Sequence, residues 1–313
     1  MGNREAGESE YALPKHVARL VNIISEQKPV HYKYLQSILP RVTRQELEHL
    51  DTYLNFCITQ GLSIEYLAKS YLALVADAVN ELIYFTQHGK YRYSTFREVA
   101  DLVYFNEEYM SAYMHGLAIS LVFWTSHLGI HRFFNEVLPR NQRGNYLEIG
   151  PGHGTFIMKA MQESTYDYFK GIDISETSIA QTRRILEHYI PDYGKACSLV
   201  AEDFFASDLQ KESFKAIVMG EVLEHVEHPE FFLRKINELA SSDAFIFITT
   251  CVNAPQLDHI YLFRTLDEVA RLISSENFVI KNMRAIPYEG KTLEQCAREQ
   301  LPINVAYVLA KQH

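Results

Sequence analysis

Residues 220–229, GEVLEHVEHP, crowd three glutamates and two histidines among valines and a leucine, and close on a proline. Carboxylates and imidazoles gathered at one point do two kinds of chemistry. Hard oxygen donors with a nitrogen can hold a divalent cation, and an imidazole can take up a proton near neutral pH. If Glu221 opens a helical turn, Glu224 and His225 follow at i+3 and i+4 on the same face, while Val222, Leu223 and Val226 turn elsewhere to pack. The plain alternative is a solvated charged turn, and Glu227 and His228, next to Pro229, are read that way.

A second stretch suited to ligand binding is YLEIGPGHG (146–154), which sets Glu148, Gly150, Gly152 and Gly154 at a strand-to-helix turn. Glycines let a backbone turn sharply and approach a ligand with no Cβ in the way. A dinucleotide fingerprint would place its third glycine three residues after the second; here it comes two after, which suits a cofactor without a pyrophosphate. Asp173, in GIDIS, ends the next strand, where an acidic side chain can bond both hydroxyls of a ribose. Asp203 and Phe204, in AEDFF, end the third strand, where they can meet an adenine by hydrogen bond and apolar contact. Either aspartate alone could be a helix N-cap; their order behind one glycine turn argues for ligands.

The elements that must position these residues fall into two rhythms. From about 14 to 140 the apolar residues recur at three- and four-residue spacing, as in HVARLVNIISEQ, RQELEHLDTYLNFCITQG, SIEYLAKSYLALVADAVNELIYFTQ and the long run 97–138, and predict helices. Thr43, with Glu46 three residues on, predicts a capped start for the second, which ends at Gly61. LPRNQRGN (138–145) is the most linker-like segment. After it, short apolar strands (NYLEIG, YFKGIDIS, ACSLVAEDF, FKAIVMG, AFIFITTC) alternate with helical segments, and FVIKNMRAI and INVAYVLA add two more strands. Such alternation predicts βαβ units and a doubly wound α/β domain over 141–313, behind an all-helical domain over 1–140.

Through YLEIGPGHG, GIDIS, AEDF and GEVLEHV, the segment 144–313 resembles the class I S-adenosylmethionine-dependent methyltransferases. The resemblance implies a Rossmann-like sheet of seven strands. It carries cofactor roles to Glu148, Gly150, Gly152 and Gly154 at the methionine end, to Asp173 at the ribose, and to Asp203 at the adenine; Phe204 and Glu221 are expected beside the cofactor. Glu-x-x-Glu-His at the end of the fourth strand also looks like the ubiquinone-biosynthetic O-methyltransferases and the small-RNA 2′-O-methyltransferases, in which this segment holds magnesium or a similar ion. The RNA group uses a later histidine, and DHIYLFRTLDEV (258–269) puts His259 at the matching position. The resemblance thus implies a two-Glu, two-His site of Glu221, Glu224, His225 and His259, with Glu224, His225 and His259 as catalytic candidates. It also implies that the helical domain covers the active site or makes a homodimer.

A net charge of −9 argues against a broad nucleic-acid surface. Four cysteines with no CxxC pair fit reduced thiols. The polar start MGNREAGESEY lacks the apolar core of a signal peptide, and GLAISLVFW (116–124) is too short to span a bilayer, so a cytoplasmic protein with no membrane partner is expected. Tyr109, Tyr113 and His115 sit on an expected lid helix, as core aromatics or as a pocket wall. The expected activity is methyl transfer to a hydroxyl or enol of a small biosynthetic intermediate, with or without a divalent cation. C-methylation of an α-keto acid-like carbon and 2′-O-methylation of an RNA 3′ end are the alternatives.

Overall fold

A computed structural model describes residues 12–312. The polar start, 1–11, read above for the absence of a signal peptide, lies outside the described residues. Seven strands form one sheet: β1 (Asn145–Ile149), β2 (Tyr168–Asp173), β3 (Cys197–Ala201), β4 (Phe214–Met219), β5 (Ala240–Val252), β6 (Phe278–Pro287) and β7 (Ile303–Lys311). Their spatial order is β3-β2-β1-β4-β5-β7-β6. β3, β2, β1, β4 and β5 run parallel, and β7 is antiparallel between β5 and β6.

Strand side chains alternate between the two faces, and both faces are covered. Leu147, Ile149, Ile217, Met219, Ile246 and Ile248 pack one way, against α10 (Pro229–Leu239) and α11 (Leu266–Ser275). Tyr146, Ala216, Val218, Phe245 and Phe247 pack the other way, against α7 (Thr125–Val137), α8 (Thr155–Glu163) and α9 (Glu176–Tyr189). The near-continuous apolar runs of β4 and β5 follow from burial on both sides.

The helical part comprises α1 (Lys15–Gln27), α2 (Pro29–Ile38), α3 (Arg44–Thr59), α4 (Ile64–His88), the short α5 (Phe96–Val99) and α6 (Glu107–Phe123), and α12 (Leu293–Glu299) lies near the other end of the chain. α3 starts at a full capping box between Thr43 and Glu46. The run 97–138 is not one helix. A π-helical turn over Ala100–Tyr104 follows α5, Asn106 caps α6, and Trp124 adopts extended backbone before α7 begins. Ile130, Phe133 and Phe134 of α7 belong to the sheet's core, although α7 precedes residue 140. The helical core, with Leu20, Leu54, Tyr71 and Phe123, also takes in Leu128 of α7 and Ile185 of α9, so it abuts the sheet's helices directly. No helix among the described residues is long and apolar enough to cross a membrane.

Candidate active site

The chain leaves β1 toward β2 on one side and reaches β4 on the other, so the carboxyl ends of β1 and β4 flank the crevice where open α/β sheets bind ligands. The glycine turn fills that crevice. Gly150, Gly152 and Gly154 all take left-handed backbone, with φ of 67°, 54° and 73°. A Cβ on Gly150 would meet Val222 Cγ2 at 2.8 Å, and one on Gly154 would meet Thr182 Cγ2 of α9 at 2.8 Å. Thr182 Oγ1 donates to the Gly152 carbonyl at 2.7 Å and pins the turn to α9.

Asp173, at the end of β2, accepts from Ser175 N at 2.9 Å and from Gly152 N at 3.4 Å. Its carboxyl is therefore aimed at the glycine turn, and burial pushes its pKa up to about 6.

At the end of β4, Glu221 takes left-handed backbone, φ 51°, a conformation that costs energy for a side chain with a Cβ. β5 and β7 hold it there. Glu221 N donates to Thr249 Oγ1 at 3.0 Å, Thr249 Oγ1 is 2.7 Å from Glu221 Oε1, and Asn304 Nδ2 is 3.4 Å from Oε2. The following 3₁₀ turn spans Leu223–His225 only. Glu221 thus lies before the turn rather than on one helical face with Glu224 and His225, which corrects the i, i+3, i+4 expectation.

Glu224 is fully buried. Its Oε2 accepts from Thr250 Oγ1 at 2.7 Å, and its backbone carbonyl accepts from Ile260 N and Tyr261 N. Its Oε1 has no hydrogen-bond partner among the described residues. Burial and the adjacent Glu221 carboxyl hold the Glu224 pKa well above the carboxylate range.

His225 Nδ1 faces Asp258, 3.1 Å from its carbonyl oxygen and 3.3 Å from Oδ2. Tyr104 OH, from the π-helical turn, donates to the same Oδ2 at 3.1 Å. His259 Nδ1 donates to the Ala254 carbonyl at 2.6 Å. The two imidazoles meet edge to face with centroids 4.7 Å apart, each keeping Nε2 free of these bonds. Burial lowers the His259 pKa to about 3, so it is neutral at pH 7.

Ligating atoms of Glu224, His225 and His259 lie within 4.8 Å of one another, as do those of Glu221, Glu224 and Cys251. The four residues expected as one site are therefore two overlapping sets that share Glu224.

A cavity of about 860 Å³ runs across this region. Gly150, Gly152, Asp173, Glu221, His225 and His259 line it, and Tyr104 and Tyr113 wall it from the helical side. Glu148, Gly154, Asp203, Phe204 and Glu224 do not. Glu148 shares a sheet face with Tyr146, whose OH donates to it at 2.6 Å, and burial pushes its pKa up to about 8. Asp203 Oδ1 accepts from Phe205 N at 2.8 Å, closing its own turn. Phe204 stacks on Phe232 with Lys235 over its ring, inside the sheet's core. Tyr109 donates to Asp77 at 2.9 Å and stacks on Tyr113, whereas His115 pairs with Tyr53 at 2.9 Å within the helical core.

Sequence reasoning missed Asp258, Tyr104, Cys251 and a histidine group of His127, His131 and His153 that also lines the cavity. Asp258 stands next to His259 in the quoted DH pair, so its signal was present. The histidine group was findable from the i, i+4 spacing of His127 and His131 and from the histidine inside GPGHG. Burial keeps all three neutral, with pKa values of about 4, 3 and 4.

The family described as methyltransferase domain matches residues 126–297, which is more than half of the chain and spans β1 to β6. No curated protein sequence matches the chain. A protein described as a methyltransferase, solved with the Haloferax volcanii Trm112 methyltransferase activator, aligns at a TM-score of 0.51 and 12% identity, over 67% of this chain and 98% of that one. Haemonchus contortus phosphoethanolamine N-methyltransferase 2, solved with S-adenosyl-L-methionine, aligns at 0.51 and 13%, over 71% of this chain and 61% of its own. At these identities the likeness is one of fold. With the glycine turn at its switch point and that family match, the chain belongs to the methyltransferase-domain family and is a class I S-adenosylmethionine-dependent methyltransferase.

Proposed function

We propose that the protein methylates a hydroxyl or enol oxygen of a small acceptor, with His225 as general base and Asp258 holding its ring. The carrying observation is the His225–Asp258 pair. Nδ1 is committed to Asp258, so Nε2 is left for the cavity that Gly150, Gly152 and Asp173 also line. The donor would lie with its methionine end on the glycine turn and its ribose on Asp173. The acceptor hydroxyl gives its proton to His225 Nε2 as its oxygen bonds to the methyl carbon. The carbon–sulfur bond breaks, and its electron pair stays on sulfur. Asp258 then faces the imidazolium that forms. The sulfonium methyl is already electrophilic, so alignment and proton removal are what the protein must supply.

A divalent cation is the second reading, favoured by one observation. Glu224 Oε1 is buried beside His225 and His259 without a partner among the described residues, and both Nδ1 atoms are held by carbonyl or carboxylate oxygens, as those of metal-bound histidines usually are. Glu224, His225 and His259 would hold the ion, with Glu221 adjoining through Glu224. A bound cation would lower the pKa of an acceptor hydroxyl. Without one, burial and the adjacent Glu221 carboxyl favour the neutral form of Glu224. C-methylation of an enolised carbon would use the same base. A net charge of −9 favours a small acceptor over RNA.

The helical part, up to Trp124, would then act as the cover of the site. Turnover of a panel of catechols and enolisable keto acids by His225→Gln and Asp258→Asn tests the reading. Both variants should lose about a hundredfold or more in kcat while binding S-adenosylhomocysteine within about twofold of wild type. Wild-type turnover in both would reject it. Chelation that abolishes turnover, with recovery on adding a divalent cation, would select the cation reading.

A further inference from the structure

The lining of the cavity extends well past the chemical end. Beyond Glu221, His225 and His259 it runs between the sheet and the helical cover as far as α2, where Val30, His31 and Tyr34 line it. Two helices wall this distal arm. Leu72, Val75 and Val79 make an i, i+3, i+7 apolar stripe on α4, and Leu117 and Leu121 stand one turn apart on α6. α4 and α6 are locked together at Gly116, where a Cβ would meet the Ser70 carbonyl oxygen at 2.7 Å. The wall is thus a rigid feature of the cover.

Two features decide what the arm can hold. First, its apolar stripe runs outward instead of closing into the core. Leu72 is 8% exposed and Val79 is 51%, and Val30 at the same cavity is 83% exposed. A stripe that continues from core to solvent along one cavity is suited to an occupant that is apolar along its length. Second, several polar groups of the arm are already paired among themselves. His31 Nε2 and Trp124 Nε1 both bond Tyr71 OH, at 2.8 and 3.2 Å. Thr125 Oγ1 and Arg41 both bond Glu289, at 2.8 and 2.7 Å. Hydroxyls of an occupant lying against these groups would have to break these pairs or stay unpaired, at a cost an aliphatic chain does not incur. The proximal end differs, since the free nitrogens of His225 and His259 stand open for one polar group.

We propose that the acceptor carries an aliphatic chain, which lies along Leu72, Val75, Val79, Leu117 and Leu121 and places its polar head at His225. This rests on the proposed methyl-transfer reading, whose site supplies the head-group end. The chain's free end emerges at Val30 and Val79 and covers them.

The test uses 4-n-alkylcatechols from methyl to octyl, titrated into the full-length protein holding S-adenosylhomocysteine, with methylation by S-adenosylmethionine followed separately. Affinity should rise with length, by up to about fourfold per methylene while the chain is being buried. Val79→Asp, on an exposed position that does not threaten folding, and Val75→Phe should each cut octylcatechol affinity at least about tenfold, with methylcatechol within twofold of wild type. No dependence on length, including no binding at any length, overturns the proposal, as does octylcatechol affinity unchanged in both variants. A Val30→Asp-sensitive dimer in sedimentation with no dependence on length would give the mouth to a second copy and also overturns it. Methylation without length dependence would leave the methyl-transfer reading standing. Length-dependent binding without methylation of any catechol would uphold the chain site and count against that reading.

Discussion

Asp173 is the residue where protonation should be felt in donor binding. Its carboxyl is buried at the end of β2 and titrates near 6 instead of at its ordinary 3.8. Below that pH it carries a proton and has fewer lone pairs to offer two ribose hydroxyls; above it, the full acceptor capacity returns. S-adenosylhomocysteine should therefore bind more tightly as pH rises from about 5 to 7, with that dependence absent in Asp173→Asn, as calorimetry can establish. A wild-type affinity flat across the range would place the ribose elsewhere. At this scale the sequence was uneven as a guide. Asp173 and the glycines follow from spacing because backbone conformation at a turn is written locally. Phe204 and Glu148 do not, because which face a side chain takes depends on strand register and on helices distant in sequence. Both turned into packing instead of the cavity.

At the scale of elements, the turn between β1 and α8 carries the most structural constraint. Gly154 has φ 73°, and a Cβ there would press on Thr182 of α9. Gly154→Ala should cost about 1–3 kcal/mol of stability and weaken donor binding through the shifted turn. Denaturant unfolding of the two proteins checks the first effect and calorimetry the second. The capped start of α3 and the strands β1 to β5 were legible, since caps and apolar runs are local signals. α2, opening at Pro29 with little apolar periodicity, and α12, seven residues long, were not. The breaks at Asn106 and Trp124 hide inside an apolar run that reads as continuous helix, yet they let the π-helical turn put Tyr104 on Asp258.

For the whole molecule, the reading is a methyltransferase sheet whose crevice is roofed by helices from the first part of the chain. The family and the doubly wound sheet were readable from motif order and βαβ rhythm. A helical cover was implied by the resemblance alone, and which helices line the cavity was not readable, because cavities arise from how α2, α4 and α6 meet the sheet, and no local pattern encodes that. The central claim is that the Glu221–His225–His259 end of the cavity is where the methyl group is delivered. A crystal structure with S-adenosylhomocysteine tests it most directly. The account predicts the homocysteine on Gly150 and Gly152, the ribose on Asp173, and the sulfur open to the space bounded by Glu221, His225 and His259. A nucleoside seated elsewhere, or a sulfur walled off from His225 and His259, would contradict it.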